Sequence, residues 1–384
     1  MNSLNVYTVI DYDGEYSTQV WQYLYSYKQY KAYPNSTNID IKFNKIELSN
    51  LPTLNKSVLS ILHLSLSSLD VLEKVEHLDF DLIFVDNMCE HLSVGSVDLL
   101  EQLSVRSNMY MIVGSFVHPE HHLYDKCITM PRDWLNCRSW YTNPKAFVSY
   151  YSDNTYTKVN GMLYIGGELR SYRKFIIDLL SGDSIRVMQN SSDIVATNDM
   201  INGTELDQLF VNECNDLYGV AGVHKYNKFY NTIKFGLEEY PFGRTTISYL
   251  ILPEYNTYKC VLYSEASFMN NEIFPTEKMW KCVVTRTHWI MFAGKNSYKL
   301  MADYGIRSIL ELVPGGIGFD NISNHADRFT KQTESVKYLQ EHPEIFDTTE
   351  ANDILDTNYA EFLTGNKFMM PLVNKLDEIL EKHI

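Results

Sequence analysis

Asp81-Leu82-Ile83-Phe84-Val85-Asp86, a helix-patterned stretch over 94–104, and then Met109-Tyr110-Met111-Ile112-Val113-Gly114 decide the fold class. Each apolar run is short, rich in β-branched or aromatic residues, and closed by a polar residue or glycine. Strand, helix and strand at this spacing predict parallel βαβ units with helices covering the sheet. Upstream, Val6-Tyr7-Thr8-Val9-Ile10 reads as a further strand. It ends in the polar turn Asp11-Tyr12-Asp13-Gly14-Glu15, and Val20, Trp21, Leu24 and Tyr27 then share a helical face.

Downstream, loop-like sequence over 150–160 precedes a restart of the same pattern. Gly161-Met162-Leu163-Tyr164-Ile165 is strand-like, Gly166-Gly167 turns, and Glu168-Leu169-Arg170-Ser171-Tyr172-Arg173-Lys174 opens a helix. Further strands fit 245–252, 259–263 and 289–292. The expectation is α/β with two Rossmann-like domains in tandem. Residues 1–155 form the first and 156–365 the second, and a C-terminal helix over 366–384 packs back on the first. Ligands then belong at the carboxyl ends of the strands, in the crevice between the domains.

The chain has 384 residues, 45% hydrophobic and 21% charged, which suits a soluble globular protein with a core that needs no staples. A formal charge of -15, with 33 Lys and Arg against 48 Asp and Glu, disfavours long-range attraction to nucleic acid or anionic membrane. A local basic groove remains compatible with that sum. No apolar run reaches the ~20 residues of a membrane span, so no membrane insertion is expected. The first residues lack a basic stretch followed by an apolar one. The expected location is the cytoplasm. Six cysteines show no CxxC pair and no zinc-type spacing, so free thiols in a reducing compartment are expected.

The stretch 259–294 carries the chemistry. A strand ends at Ser264-Glu265, and Phe274-Pro275-Thr276-Glu277-Lys278-Met279-Trp280-Lys281 opens a helix before the next strand. Thr276 fits the cap, and Glu277 falls in the first turn, where a carboxylate complements the dipole. A capped surface helix accounts for that pattern. So does a helix N-terminus at a sheet edge that binds phosphate, with Glu277 accepting from ribose hydroxyls and Lys278 or Lys281 offsetting the charge.

Ser264-Glu265, the block Thr276-Glu277-Lys278-Met279-Trp280-Lys281 and the strand Trp289-Ile290-Met291-Phe292 resemble the donor-binding half of GT-B glycosyltransferases. The resemblance is to the phage- and giant-virus-encoded group and to fucosyltransferase-like enzymes. Tyr298-Lys299-Leu300-Met301-Ala302-Asp303-Tyr304-Gly305-Ile306 and Asp327-Arg328-Phe329 echo later elements, and 161–173 echoes the strand leading to an arginine-bearing helix. Two positions depart from the pattern: Cys282 stands where the group has proline, and His288-Trp289 replaces a small or His-Pro pair.

The resemblance implies a metal-independent transfer of a sugar from a nucleoside diphosphate, with a UDP-sugar favoured. It implies that Glu277 holds the ribose and that Arg170, Arg173 and Lys278 face the diphosphate. Thr276, Glu265 and Lys281 complete the donor site. The acceptor is a hydroxymethylated pyrimidine in phage DNA or, alternatively, a glycan or protein hydroxyl. A DNA acceptor calls for a basic patch drawn from Lys126, Arg132, Arg138 and Lys145. An inverting reaction needs a general base. Asp86 is the first candidate, as a carboxylate ending a buried strand, followed by His118 and Asp13. A catalytically inactive scaffold of the same fold is the competing expectation.

Overall fold

The computed structural model describes residues 3–9, 40–46, 60–65, 82–87, 108–121, 123–129, 133–134, 137–138, 158–166, 171–180, 185–189, 253–265 and 272–383. The chain divides into two units, Met1–Arg132 with Asn366–Ile384, and Asp133–Gly365. Asp13, Arg170, Arg132 and Lys145, the helix expected over 94–104 and the strand expected over 245–252 lie outside the described residues.

The first unit is built on a six-stranded sheet of β1 (Ser3–Val9), β2 (Asp40–Ile46), β3 (Ser60–Ser65), β4 (Leu82–Asn87), β5 (Met109–Val113) and β6 (Cys127–Thr129). The order is β2-β1-β3-β4-β5-β6, and every pairing is parallel. Met109, Met111 and Val113 on one face of β5 and Tyr110 on the other are all buried, as a parallel strand covered on both faces requires. The C-terminal helix α7 (Asn366–His383) packs against β6.

The second unit contains β7 (Val159–Gly166), α1 (Ser171–Leu179), β8 (Ile185–Gln189), α2 (Pro253–Thr257) and β9 (Tyr258–Ser264). There follow α3 (Glu277–Val284), β10 (His288–Phe292), α4 (Ser297–Asp303), α5 (His325–Glu341) and α6 (Thr349–Thr364). Its sheet has the order β10-β9-β7-β8, again all parallel. The observed class is therefore the expected one, two α/β units with parallel sheets and flanking helices.

Both sheets share one wiring. The chain runs from the first strand to a neighbour on one side, then returns to the other side for the third strand. The direction of progression reverses there, and in the second unit the reversal falls between β7 and β9. The carboxyl ends at such a reversal leave a crevice, because the two flanking connections depart to opposite faces.

Candidate functional site at the switch point of the second unit

β9 ends at Ser264, and Glu265 follows it at this reversal. The hydroxyl of Ser264 bonds that of Tyr164 on β7 at 3.0 Å and accepts from Nε of Arg173 on α1 at 3.1 Å. Tyr172 donates to the Glu265 carbonyl at 2.7 Å, and Nη2 of Arg173 donates to the same oxygen at 3.4 Å. The Glu265 N–H donates to Phe292 O at the end of β10. Arg173 is only 4% exposed and Glu265 1%. Three strand ends and one helix are thus fastened by a buried polar network.

α3 starts directly above this network. Thr276 occupies its N-cap with extended backbone, as the sequence suggests, but its hydroxyl makes no cap bond. Instead, Oε1 of Glu265 accepts from the Thr276 N–H at 3.2 Å. Burying Met279, Trp280 and Val283 holds α3 on the sheet, and Trp280 Nε1 donates to Pro275 O at 3.1 Å. At the other end Lys158 caps the helix, donating to Thr285 O and Arg286 O, both at 2.8 Å, and to the Thr287 hydroxyl. Lys158 was not singled out from the sequence, because it precedes the capped helix by more than a hundred residues.

Glu277 and Lys278 are the partly accessible members, with side chains 22% and 15% exposed and their charged ends 3.3 Å apart. Burial alone pushes the Glu277 carboxyl up, but the ammonium groups of Lys278 and Lys281 outweigh it and hold the carboxyl below its ordinary value. Burial pulls Lys278 down, and Glu277 and Glu265 more than reverse this. Lys281 is buried one turn on, and its ammonium is lowered by burial despite Glu277. Glu265 differs: burial lifts its carboxyl to about 8, although Lys278 and the hydrogen bonds from the Thr276 hydroxyl and N–H pull the other way. The arrangement presents one ionised carboxylate and one ammonium at a helix N-terminus, above a buried carboxyl and guanidinium. That set can accept from vicinal hydroxyls and offset a phosphate side by side.

Of the donor-site residues named from the sequence, Glu265, Thr276, Glu277, Lys278 and Arg173 therefore converge on one sheet edge, with Lys281 one turn behind. Arg328, noted within Asp327-Arg328-Phe329, lies buried and donates to Ala293 O at 2.9 Å and Ile322 O at 2.6 Å. It ties α5 to the loop after β10.

In the first unit, Asp86 stands one residue before the end of β4, with Cα partners Ser65 on β3 and Ile112 on β5. His118 is buried, and its Nδ1 accepts from the Glu120 N–H at 3.1 Å. Of the basic residues offered for a DNA patch, Lys126 sits over the Tyr110 ring. Arg138 donates to Leu363 O at 3.1 Å and lies over Trp134.

No protein family and no curated protein matches the sequence. Among solved structures, the chain is similar to an α1,3-fucosyltransferase at a TM-score of 0.45 and 10% identity, over 99% of this chain and 90% of that one. It is also similar to a UDP-forming α,α-trehalose-phosphate synthase from Burkholderia vietnamiensis, at 0.44 and 9% identity over the whole of both chains. A third likeness is to the trehalose-6-phosphate synthase OtsA, at 0.38 and 14% identity over 87% of this chain and 73% of that one.

Proposed function

We propose that the protein is a glycosyltransferase of GT-B type that binds a nucleoside-diphosphate sugar at the switch point of its second unit. The observation that supports this is the convergence of Glu277, Lys278, Thr276, Glu265 and Arg173 where β9 ends and α3 begins. In this reading Glu277 accepts from the ribose hydroxyls, and Lys278 meets the diphosphate at the N-terminus of α3. Lys281 and Arg173 add positive potential from beneath, and Arg173 also keeps the Ser264-Glu265 strand end in place. Arg170 is assigned to the diphosphate with them.

The transfer breaks the bond between the anomeric carbon and the β-phosphate oxygen. The nucleoside diphosphate leaves with the electron pair, while the acceptor hydroxyl oxygen forms the new bond and gives up its proton. Charge grows on the leaving group as its bond breaks, so a cation and oriented N–H groups placed there stabilise the transition state more than the ground state. Asp86 is the carboxylate proposed to take the acceptor's proton, with Asp13 and His118 as the other candidates.

Incubating the protein with UDP- and GDP-sugars, without acceptor, and assaying free nucleoside diphosphate tests the reading. Slow release that disappears in Glu277→Ala is expected. Release equal to the no-protein blank, together with no nucleotide binding, overturns it.

A further inference from the structure

Glu265 differs from Glu277, the other carboxyl described at the site. Its hydrogen bonds come from Thr276 alone, with Oε1 accepting from the Thr276 N–H, and its Oε2 is buried with no hydrogen-bond partner among the described residues. An ionised carboxylate offers about four acceptor positions. One neighbouring residue at a buried position is far less than such a charge requires. A neutral acid needs much less.

Among the described residues, titratable and charged groups face it from four elements. α3 contributes Glu277 and Lys278, α1 contributes Arg173 and Tyr172, β9 contributes Tyr263, and α2 contributes Tyr255. The Tyr172 hydroxyl and the Arg173 Nη2 contact reach the Glu265 backbone carbonyl, so neither serves the carboxyl. Among the described residues, the cation that most favours ionisation of Glu265 is Lys278, which also sits 3.3 Å from Glu277. A diphosphate seated at Lys278 would draw on that same ammonium and add negative charge above Glu265.

We propose that Glu265 is a positioning residue that must carry a proton while the diphosphate is bound, so that donor binding takes up a proton at this residue. This rests on the donor site proposed above and adds its regulation by pH. In the protonated state the Glu265 side chain still accepts from Thr276, keeping α3 and Lys278 in register with β9. In the ionised state its charge competes with the diphosphate for Lys278. The coupling is reciprocal: whatever proton loss costs the nucleotide, the nucleotide costs the loss of the proton. The raised carboxyl, at about 8, places the effect just above neutral pH.

The test is calorimetric titration of the full chain with UDP and with GDP at pH 7, 8 and 9, in two buffers of different ionisation enthalpy. The nucleotide phosphates are already ionised at pH 8 and 9. Wild type is expected to take up roughly half a proton per nucleotide at pH 8 and to lose affinity by up to about tenfold from pH 7 to 9. Glu265→Gln, which keeps an acceptor for Thr276 and cannot ionise, is expected to hold its pH 7 affinity at pH 9 with no proton uptake. Binding without proton uptake in wild type overturns this proposal and leaves the donor site standing. A pH dependence that survives in Glu265→Gln does the same. Absence of binding at every pH overturns both. Should the variant fail to fold, the wild-type proton count decides alone.

Discussion

The main-chain N–H of Thr276 is satisfied by the side chain of Glu265, eleven residues earlier, at 3.2 Å. The helix that carries Glu277 and Lys278 is therefore started by a carboxyl from the neighbouring strand and not by its own N-cap hydroxyl. Sequence spacing could suggest the cap. It could not reveal which atom does the capping.

That finding separates three substitutions at one position. Thr276 has φ -73°, within proline's range, so Thr276→Pro removes the N–H without moving the backbone. It should cost about 1–3 kcal/mol by stranding a buried carboxyl oxygen. Thr276→Ala keeps the N–H but removes the hydroxyl that accepts from Lys278 Nζ at 3.5 Å and bonds the Glu265 carboxyl, so it should cost about 1 kcal/mol, and Thr276→Ser, which keeps that hydroxyl, should be near neutral. Urea denaturation of the three variants checks the order.

Gly365 closes α6 with φ 64°, and a Cβ there would lie 2.2 Å from the Trp134 ring. Trp134 has no room to yield, being buried and held by its Nε1 bond to Phe362 O at 3.1 Å. Gly365→Ala should therefore destabilise by about 2–5 kcal/mol, combining left-handed strain with overpacking. Gly315, at φ 80° with nothing near its missing Cβ, isolates the strain. Gly315→Ala should cost only about 1–2 kcal/mol. Chemical denaturation of both gives the contrast, and equal losses would refute the clash.

Asp320 is buried, accepts from the Lys299 N–H at 2.9 Å through Oδ2, and has no hydrogen-bond partner for Oδ1 among the described residues. Burial lifts its carboxyl to about 6, against the opposing pull of its main-chain hydrogen bonds and Arg328. A raised carboxyl favours the fold while protonated. Its contribution is thus complete below about pH 4 and is lost as pH rises through 6. Asp320→Asn should abolish that dependence, gaining on the order of 2–3 kcal/mol over wild type between pH 4 and 7. Unfolding free energies at pH 4, 5, 6 and 7 decide it, and identical slopes in the two proteins would contradict it.

Much of the fold was legible because parallel strands write themselves as compact apolar runs. The runs ending at Asp86, Val113, Ile165, Tyr263 and Phe292 all fall in strands, displaced by only one or two residues. β2, Asp-Ile-Lys-Phe-Asn-Lys-Ile, alternates polar and apolar residues and carries no such run. α5 was hidden for another reason. Its buried face includes Arg328, Gln332 and Thr333, which breaks the apolar periodicity a helix is read from. Gln332 Nε2 donates to Met291 O in β10 at 2.7 Å and Arg328 to Ala293 O just after it, whereas the Thr333 hydroxyl turns back to Phe329 O within the helix at 2.8 Å. Within the site, Glu277 and Lys278 were legible from their place in the first turn of a helix. The partnership of Glu265 with Thr276 and the tethering of Arg173 to Ser264 depend on packing between elements and leave no trace in local sequence.

The central claim is that Glu277 and Lys278 grip a nucleoside diphosphate. Isothermal titration of UDP and GDP into wild type, Glu277→Ala and Lys278→Ala at pH 7 tests it most directly. The account predicts saturable binding of at least one nucleotide and a loss of about tenfold to a hundredfold in each variant, the worth of one hydrogen bond to a charged group. No binding of either nucleotide, or unchanged affinity in both variants, would contradict it.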